Sequence, residues 1–253
     1  MASLIDLANP TRFMRLSAVL LPWLAAAAAV LLVVGFYLAW FSAPPDYQQG
    51  ETVRILYVHV PAAWLAMMFY SMMALSALGT LVWRHPLADV AQKAAAPIGA
   101  CFALICLVTG ALWGKPMWGT YWVWDARLTS MLVLLLIYLG IIVLWRVLDE
   151  PSRAGRAVAI LTLIGFVNVP IIKFSVDWWN TLHQPASVFR MGGSTLDPSM
   201  LWPLLILAAG FTLFALALHM VSMRAEIMRR RVRTLTILEA ERLDRLAAQG
   251  APA

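Results

Sequence analysis

Charge is scarce in this chain. Asp, Glu, Lys and Arg make up 13% of its 253 residues, against roughly a quarter in a soluble domain, which excludes an ordinary soluble protein. Cysteine is nearly absent as well. The two present, Cys101 and Cys106, lie five positions apart in one apolar run, so on a helix they point in different directions and cannot easily bridge. They read as small buried apolar residues. No G-x-x-x-x-G-K loop occurs, so energy from ATP, if used, has to come from a partner. A fixed-period repeat, a low-complexity linker and a soluble domain are missing too.

What is there is apolar: 62% of the residues. Crossing a hydrocarbon core takes roughly 20 apolar residues per helix, and six stretches reach that length, at about 16–41, 57–83, 94–113, 128–148, 157–176 and 200–223. Each is continuously apolar and longer than the alternating segments of a lipid-facing barrel, which leaves the helix to satisfy its backbone. The expected fold is an all-α polytopic membrane protein, one integral domain over 1–253 with six transmembrane helices. The first stretch follows Arg12 and Arg15 as a signal peptide would, but its length points to an uncleaved span. Pro97 and Pro170 fall inside spans and Asn168 and Lys173 near the outer part of the fifth, where kinks, interhelical hydrogen bonds and snorkelling are expected.

The membrane side that retains Lys and Arg is the cytoplasmic one. The amino terminus, the second and fourth loops and the carboxyl terminus hold all of the 19 basic residues except Arg54, Lys115, Arg127, Lys173 and Arg190. Both termini are therefore expected in the cytoplasm, with 224–253 a basic cytoplasmic tail. The tail reads as a positive-inside anchor, with anionic lipid as an alternative partner. The net charge of +6 is thus a topology signal, not the mark of a nucleic-acid binder.

The third loop departs from a plain connection, which needs only a few polar turn residues. Trp118, Tyr121, Trp122, Trp124, Asp125 and Arg127 crowd into ten positions. If helical, Trp118 and Trp122 share a face; if extended, Trp118, Trp122 and Trp124 do. Such a surface suits a flat apolar ligand with a few polar groups, and haem fits that description. The bland reading is an interfacial tryptophan belt. Asp125 is placed to cap the following helix, to line the pocket, or both, and Arg127 or Arg54 to pair a haem propionate.

Topology then sorts the four histidines. His59, at the mouth of the second span, and His183, in the fifth loop, share the face of the tryptophan loop, whereas His85 and His219 fall on the other side. Two neutral imidazoles approaching a porphyrin from opposite faces give a six-coordinate iron, so His59 and His183 are the candidate metal ligands. Lack of C-x-x-C-H argues against covalent attachment as in a c-type cytochrome.

The run from Trp113 to Thr129, with Ala43–Gly50, the Tyr57-Val58-His59-Val60-Pro61 segment and the Asp177–Gln184 segment, resembles the WWD haem-handling proteins. Within them it is similar to the CcmC family of the cytochrome c maturation system. The resemblance covers nearly the whole length. It implies six spans in the bacterial inner membrane, a periplasmic signature loop, and His59 and His183 as axial ligands of a transient, non-covalent haem b. It also implies transfer to the periplasmic haem chaperone CcmE, within an assembly whose CcmA and CcmB form an ABC transporter and whose CcmD is a small membrane helix. A carrier rather than an enzyme is expected, holding haem against Trp118, Trp122, Trp124, Asp125 and Arg127. A haem lyase-like enzyme and a haem-containing electron-transfer subunit are the alternatives; the first needs more spans, the second ligands deeper in the membrane.

Overall fold

In a computed structural model of the chain, residues 9–148, 150–179, 181–184 and 187–248 are described. Asn180 of the second histidine segment and the last five residues of the basic tail lie outside them. The described residues form helices and no β-sheet, with a single isolated bridge between Asp46 and Gly50. The helices are α1 (Pro10–Tyr37), α2 (Leu56–Trp83), α3 (Ala88–Trp118), α4 (Ala126–Val147), α5 (Pro151–Phe166), α6 (Asn168–Trp178) and α7 (Pro198–Ala248). With the short turns flanking α1 and α2, and with α5 and α6 taken together, they give six helical segments long and apolar enough to cross a membrane. The all-helical architecture expected from the apolar runs is the architecture found.

Most helices overrun the apolar stretches. Hydropathy marks where hydrocarbon ends, whereas a helix continues until its backbone is diverted. Thus α3 continues through Lys115 and Pro116 to Trp118 and stops at Gly119, whose φ of 77° is left-handed and whose amide donates back to Lys115 O at 3.0 Å. Trp118 is therefore a helix-end residue rather than a loop residue. The fifth span is broken at Val167, three positions before Pro170. Proline has no N–H for the Phe166 carbonyl and its ring crowds that group. Asn168 uses the break, donating from Nδ2 to Ser130 O of α4 at 2.8 Å.

The core lies among α2, α3, α4 and α5. Phe69, Tyr70, Met73, Leu134, Tyr138, Ile141 and Val158 are fully buried there. Tyr138 Oη donates to Ala66 O at 2.7 Å, so this buried hydroxyl is satisfied. α1 stands at the edge, packed mainly on α7, with Trp23, Val19 and Val33 facing outward. Cys106 is buried and Cys101 is exposed, both unbridged; the expectation that both are buried holds for Cys106 alone, because five positions carry Cys101 round to the outer face of α3.

At one end the chain is tied by charge. Glu226 of α7, 4% exposed, meets Lys93 of α3 at 2.8 Å, Arg229 at 2.6 Å and Arg230 at 3.0 Å, and Arg230 reaches Asp89 at 2.7 Å. Arg224 donates to Met14 O (2.6 Å) and Ser17 Oγ (2.8 Å) of α1. The start of α1 and the basic stretch after α7's apolar part are thus at the same end of the bundle. The aromatic loop lies at the other.

Candidate functional site

His59 sits one turn into α2. The turn before it is anchored by Arg54, which donates to Ala39 O and, at 3.4 Å, to Ala43 O, pairs with Glu51 at 2.5 Å, and lies over Trp40. Arg54 therefore serves the carbonyls at the end of the first span, where a cation is favoured. Nearby, Trp113 Nε1 donates to Gln49 Oε1 at 2.8 Å and pins the first loop to α3.

The His59 ring meets Trp113 edge-on (centroids 5.7 Å apart, 79°). Its Nδ1 lies 3.0 Å from Thr109 Oγ1 of α3. The Thr109 hydroxyl has one proton, which goes to the helix carbonyl of Ile105 at 2.6 Å. Its oxygen is left to accept, so Nδ1 of His59 carries the proton and Nε2 keeps its lone pair. The neighbouring residue leaves room for the ring: a Cβ on Gly110 would stand 3.0 Å from His59 Cε1.

His183 reaches the same end from the long connection between α6 and α7. Asp125 organises it. Oδ1 accepts the Leu128 amide at 2.8 Å and caps α4, while Oδ2 accepts from the Thr181 hydroxyl at 2.5 Å and from His183 Nδ1 at 2.7 Å. Asp125 thus holds both of its expected roles, one per oxygen. A carboxylate can only accept, so His183 is also protonated on Nδ1 with Nε2 bare. Burial alone pushes the Asp125 carboxyl up, but hydrogen bonds from Thr181 and the Leu128 amide, with His183 beside them, hold it below its ordinary value. Burial lowers the His183 ring below the usual imidazole value, against the pull of Asp125 and with help from Arg127.

Trp118 packs edge-on against His183, with centroids 4.8 Å apart. Trp122 and Trp124 touch one another in a second edge-on pair at 5.4 Å. Trp122 is half-buried and its Nε1 is buried without a partner, whereas Trp124 is 77% exposed. The three rings therefore do not form one stack, because α3 ends between the first and second. Arg127, half-buried, hydrogen-bonds through Nε to Ser175 Oγ at 3.4 Å. It lies close enough to both histidines to act on their charge, as His183 does on His59. Sequence reasoning missed Thr109, Thr181 and Ser175. The one available signal for Thr109 was a lone hydroxyl inside an otherwise apolar run.

Chemically, two imidazoles with free Nε2 atoms are too few for a bare ion. No cluster of three or more His, Cys, Asp or Glu suited to a metal ion occurs among the described residues. They suffice for a metal that brings its own equatorial ligands, as iron in a porphyrin does. The surrounding indoles, the unpaired Trp122 N–H and the Arg127 guanidinium fit the rest of such a molecule.

A multi-pass helical membrane protein with an imidazole and indole site at one end of its bundle is the class these features define. The family model described as Heme exporter protein C matches residues 3–238. Relatives from several bacteria carry that same name. The one from Bradyrhizobium diazoefficiens is 63% identical over 249 residues, covering 98% of this chain and 94% of the relative. That from Escherichia coli strain K12 is 51% identical over 226 residues (89% and 91%), and that from Paracoccus denitrificans 45% over 239 (94% and 98%). This chain belongs to the heme exporter protein C family, whose role is haem handling for cytochrome c maturation.

Proposed function

We propose that the protein holds a non-covalent haem b at the periplasmic face of the bacterial inner membrane, between His59 and His183, and passes it to the periplasmic haem chaperone CcmE. The observation that carries this reading is the matched state of the two rings. Each gives its Nδ1 proton to a partner, Thr109 Oγ1 or Asp125 Oδ2, and keeps Nε2 for a metal. Trp118, Trp122 and Trp124 supply apolar cover, and Arg127, held through Nε by Ser175 Oγ, is the group suited to a propionate.

Orientation rests on charge. The end of the bundle holding Arg224, Arg229, Arg230 and Arg231 beside the start of α1 is the cytoplasmic one by the positive-inside rule, which puts the histidines in the periplasm and both termini in the cytoplasm. The chain is one integral membrane domain from 1 to 253, and its work is binding and transfer rather than catalysis. Its partners in this reading are the ABC transporter components CcmA and CcmB and the small membrane subunit CcmD, the nucleotide-binding partner supplying the energy that this chain has no loop to harvest.

A site at the rim of the bundle favours release. Indole contacts and two iron–imidazole bonds hold the plate, and its outer edge stays open to the chaperone. The test is the absorption spectrum of protein purified with haem after His59→Ala and His183→Ala replacement. Loss or a marked shift of the haem bands in each is expected; unchanged bands in both remove the two rings as ligands and the reading with them.

A further inference from the structure

We infer that the two imidazoles are unequal donors, and that Thr109 is a positioning residue which makes His59 the side of the haem site that opens first. This rests on the carrier reading above and adds to it a role for a half-buried residue of α3 and an order of events.

The inequality lies behind the rings. His183 Nδ1 faces the Asp125 carboxylate at 2.7 Å, and that carboxylate is locked by the Leu128 amide and the Thr181 hydroxyl. A carboxylate drawing on the Nδ1 proton makes the imidazole a stronger donor through Nε2, and a hydrogen bond to an ionised group is roughly twice as strong as one between neutral groups. His59 Nδ1 faces neutral groups, the Thr109 hydroxyl at the longer distance of 3.0 Å and the Cys106 carbonyl. That hydroxyl has already spent its proton on Ile105 O, with Cys106 O at 3.2 Å, so it accepts without carrying charge. It fixes the proton and the plane of the ring but adds little electron density.

Mobility runs the other way. His59 stands on a helix, edge-on to Trp113 and beside Gly110, so its ring remains in place after its bond opens. His183 stands on a long connection and depends on Asp125 and Trp118 for its position. Opening the His59 side first leaves the plate attached to the better donor. In that step the iron–Nε2 bond breaks with the electron pair remaining on Nε2, and a lone-pair donor of the acceptor protein takes the vacated position. Neither an electron nor a proton changes hands.

The test compares Thr109→Val, which keeps the shape and removes the acceptor, with Thr109→Ser, which restores it, in full-length protein purified with haem. Thr109→Val is expected to lower haem retention by roughly 10-fold, the lower end of the effect of losing such a supporting partner. It is also expected to give a mixed-spin spectrum that free imidazole returns to low spin, and to speed entry of carbon monoxide onto the reduced haem, which waits on the weaker axial bond. Thr109→Ser is expected to match the unaltered protein. Retention and carbon monoxide entry unchanged by Thr109→Val, in a preparation where His59→Ala loses the low-spin signal, overturn the inference and spare the carrier reading. A loss that Thr109→Ser does not restore makes the effect one of packing and likewise overturns it. An unchanged spectrum in both His59→Ala and His183→Ala overturns the carrier reading itself.

Discussion

Asp125 and His183 are 58 positions apart in the chain and 2.7 Å apart in the fold, joined by a hydrogen bond from Nδ1 to Oδ2. The same carboxylate caps α4 through its other oxygen. One side chain thus couples the start of a membrane helix to the orientation of a ring on a distant connection.

That division of labour separates the effects of two substitutions. Asn is as good a helix cap as Asp, so Asp125→Asn keeps α4 but offers an amide N–H or a weaker acceptor to His183. Haem retention is expected to fall about 10- to 100-fold with little change in thermal stability. Asp125→Ala loses the cap too and adds a cost of about 1 kcal/mol. Haem content and thermal unfolding of detergent-purified protein, measured together, check both.

Gly110 offers a steric test of the other ring. A Cβ there would lie 3.0 Å from His59 Cε1, tight enough that the ring has to shift by a few tenths of an ångström. Gly110→Ala is expected to reduce the low-spin fraction of bound haem without abolishing the fold. A low-spin fraction equal to that of the unaltered protein contradicts the placement of His59 against α3.

Acid behaviour follows from the directions of two shifts. His183 is lowered, chiefly by burial, so in the haem-free protein it stays neutral at the usual imidazole value of about 6.5 while the unfolded chain takes up a proton. Its contribution to stability is complete above that value and declines as pH falls from there toward the folded-state value. Asp125 is lowered too, so what it contributes is present above about 3.9 and disappears as pH falls through its folded-state value. Nitrogen-15 spectra of labelled histidine in the haem-free protein check the first: a His183 midpoint above 6.5 contradicts it.

At the opposite end, Glu226 gathers Lys93, Arg229 and Arg230. Glu226→Gln is expected to cost about 2 kcal/mol, the low side for breaking a buried ion pair because Lys93 and Arg230 are each about a third open to solvent. The melting temperature in detergent should fall while the spectrum of bound haem stays as it was. A spectral change would contradict the independence of the two ends.

The helices were legible in the sequence because lipid leaves an apolar run no other way to satisfy its backbone. Helix ends were less so: Lys115, Pro116 and Met117 read as a departure from the membrane, yet α3 carries them on to Gly119. The candidate ligands were legible because few residue types bind iron and only two histidines shared a face with the tryptophans. What stands behind those ligands was not. Thr109 matters through the packing of α2 on α3, and Thr181 through a loop folding back on Asp125; neither contact leaves a trace in local pattern.

Electron paramagnetic resonance of the ferric haem-loaded protein reads the ligation by His59 and His183 at the iron itself. That ligation predicts a low-spin signal of two axial imidazoles, conversion to high spin on either His59→Ala or His183→Ala, and return to low spin when free imidazole is added. A low-spin signal that survives both single replacements contradicts it.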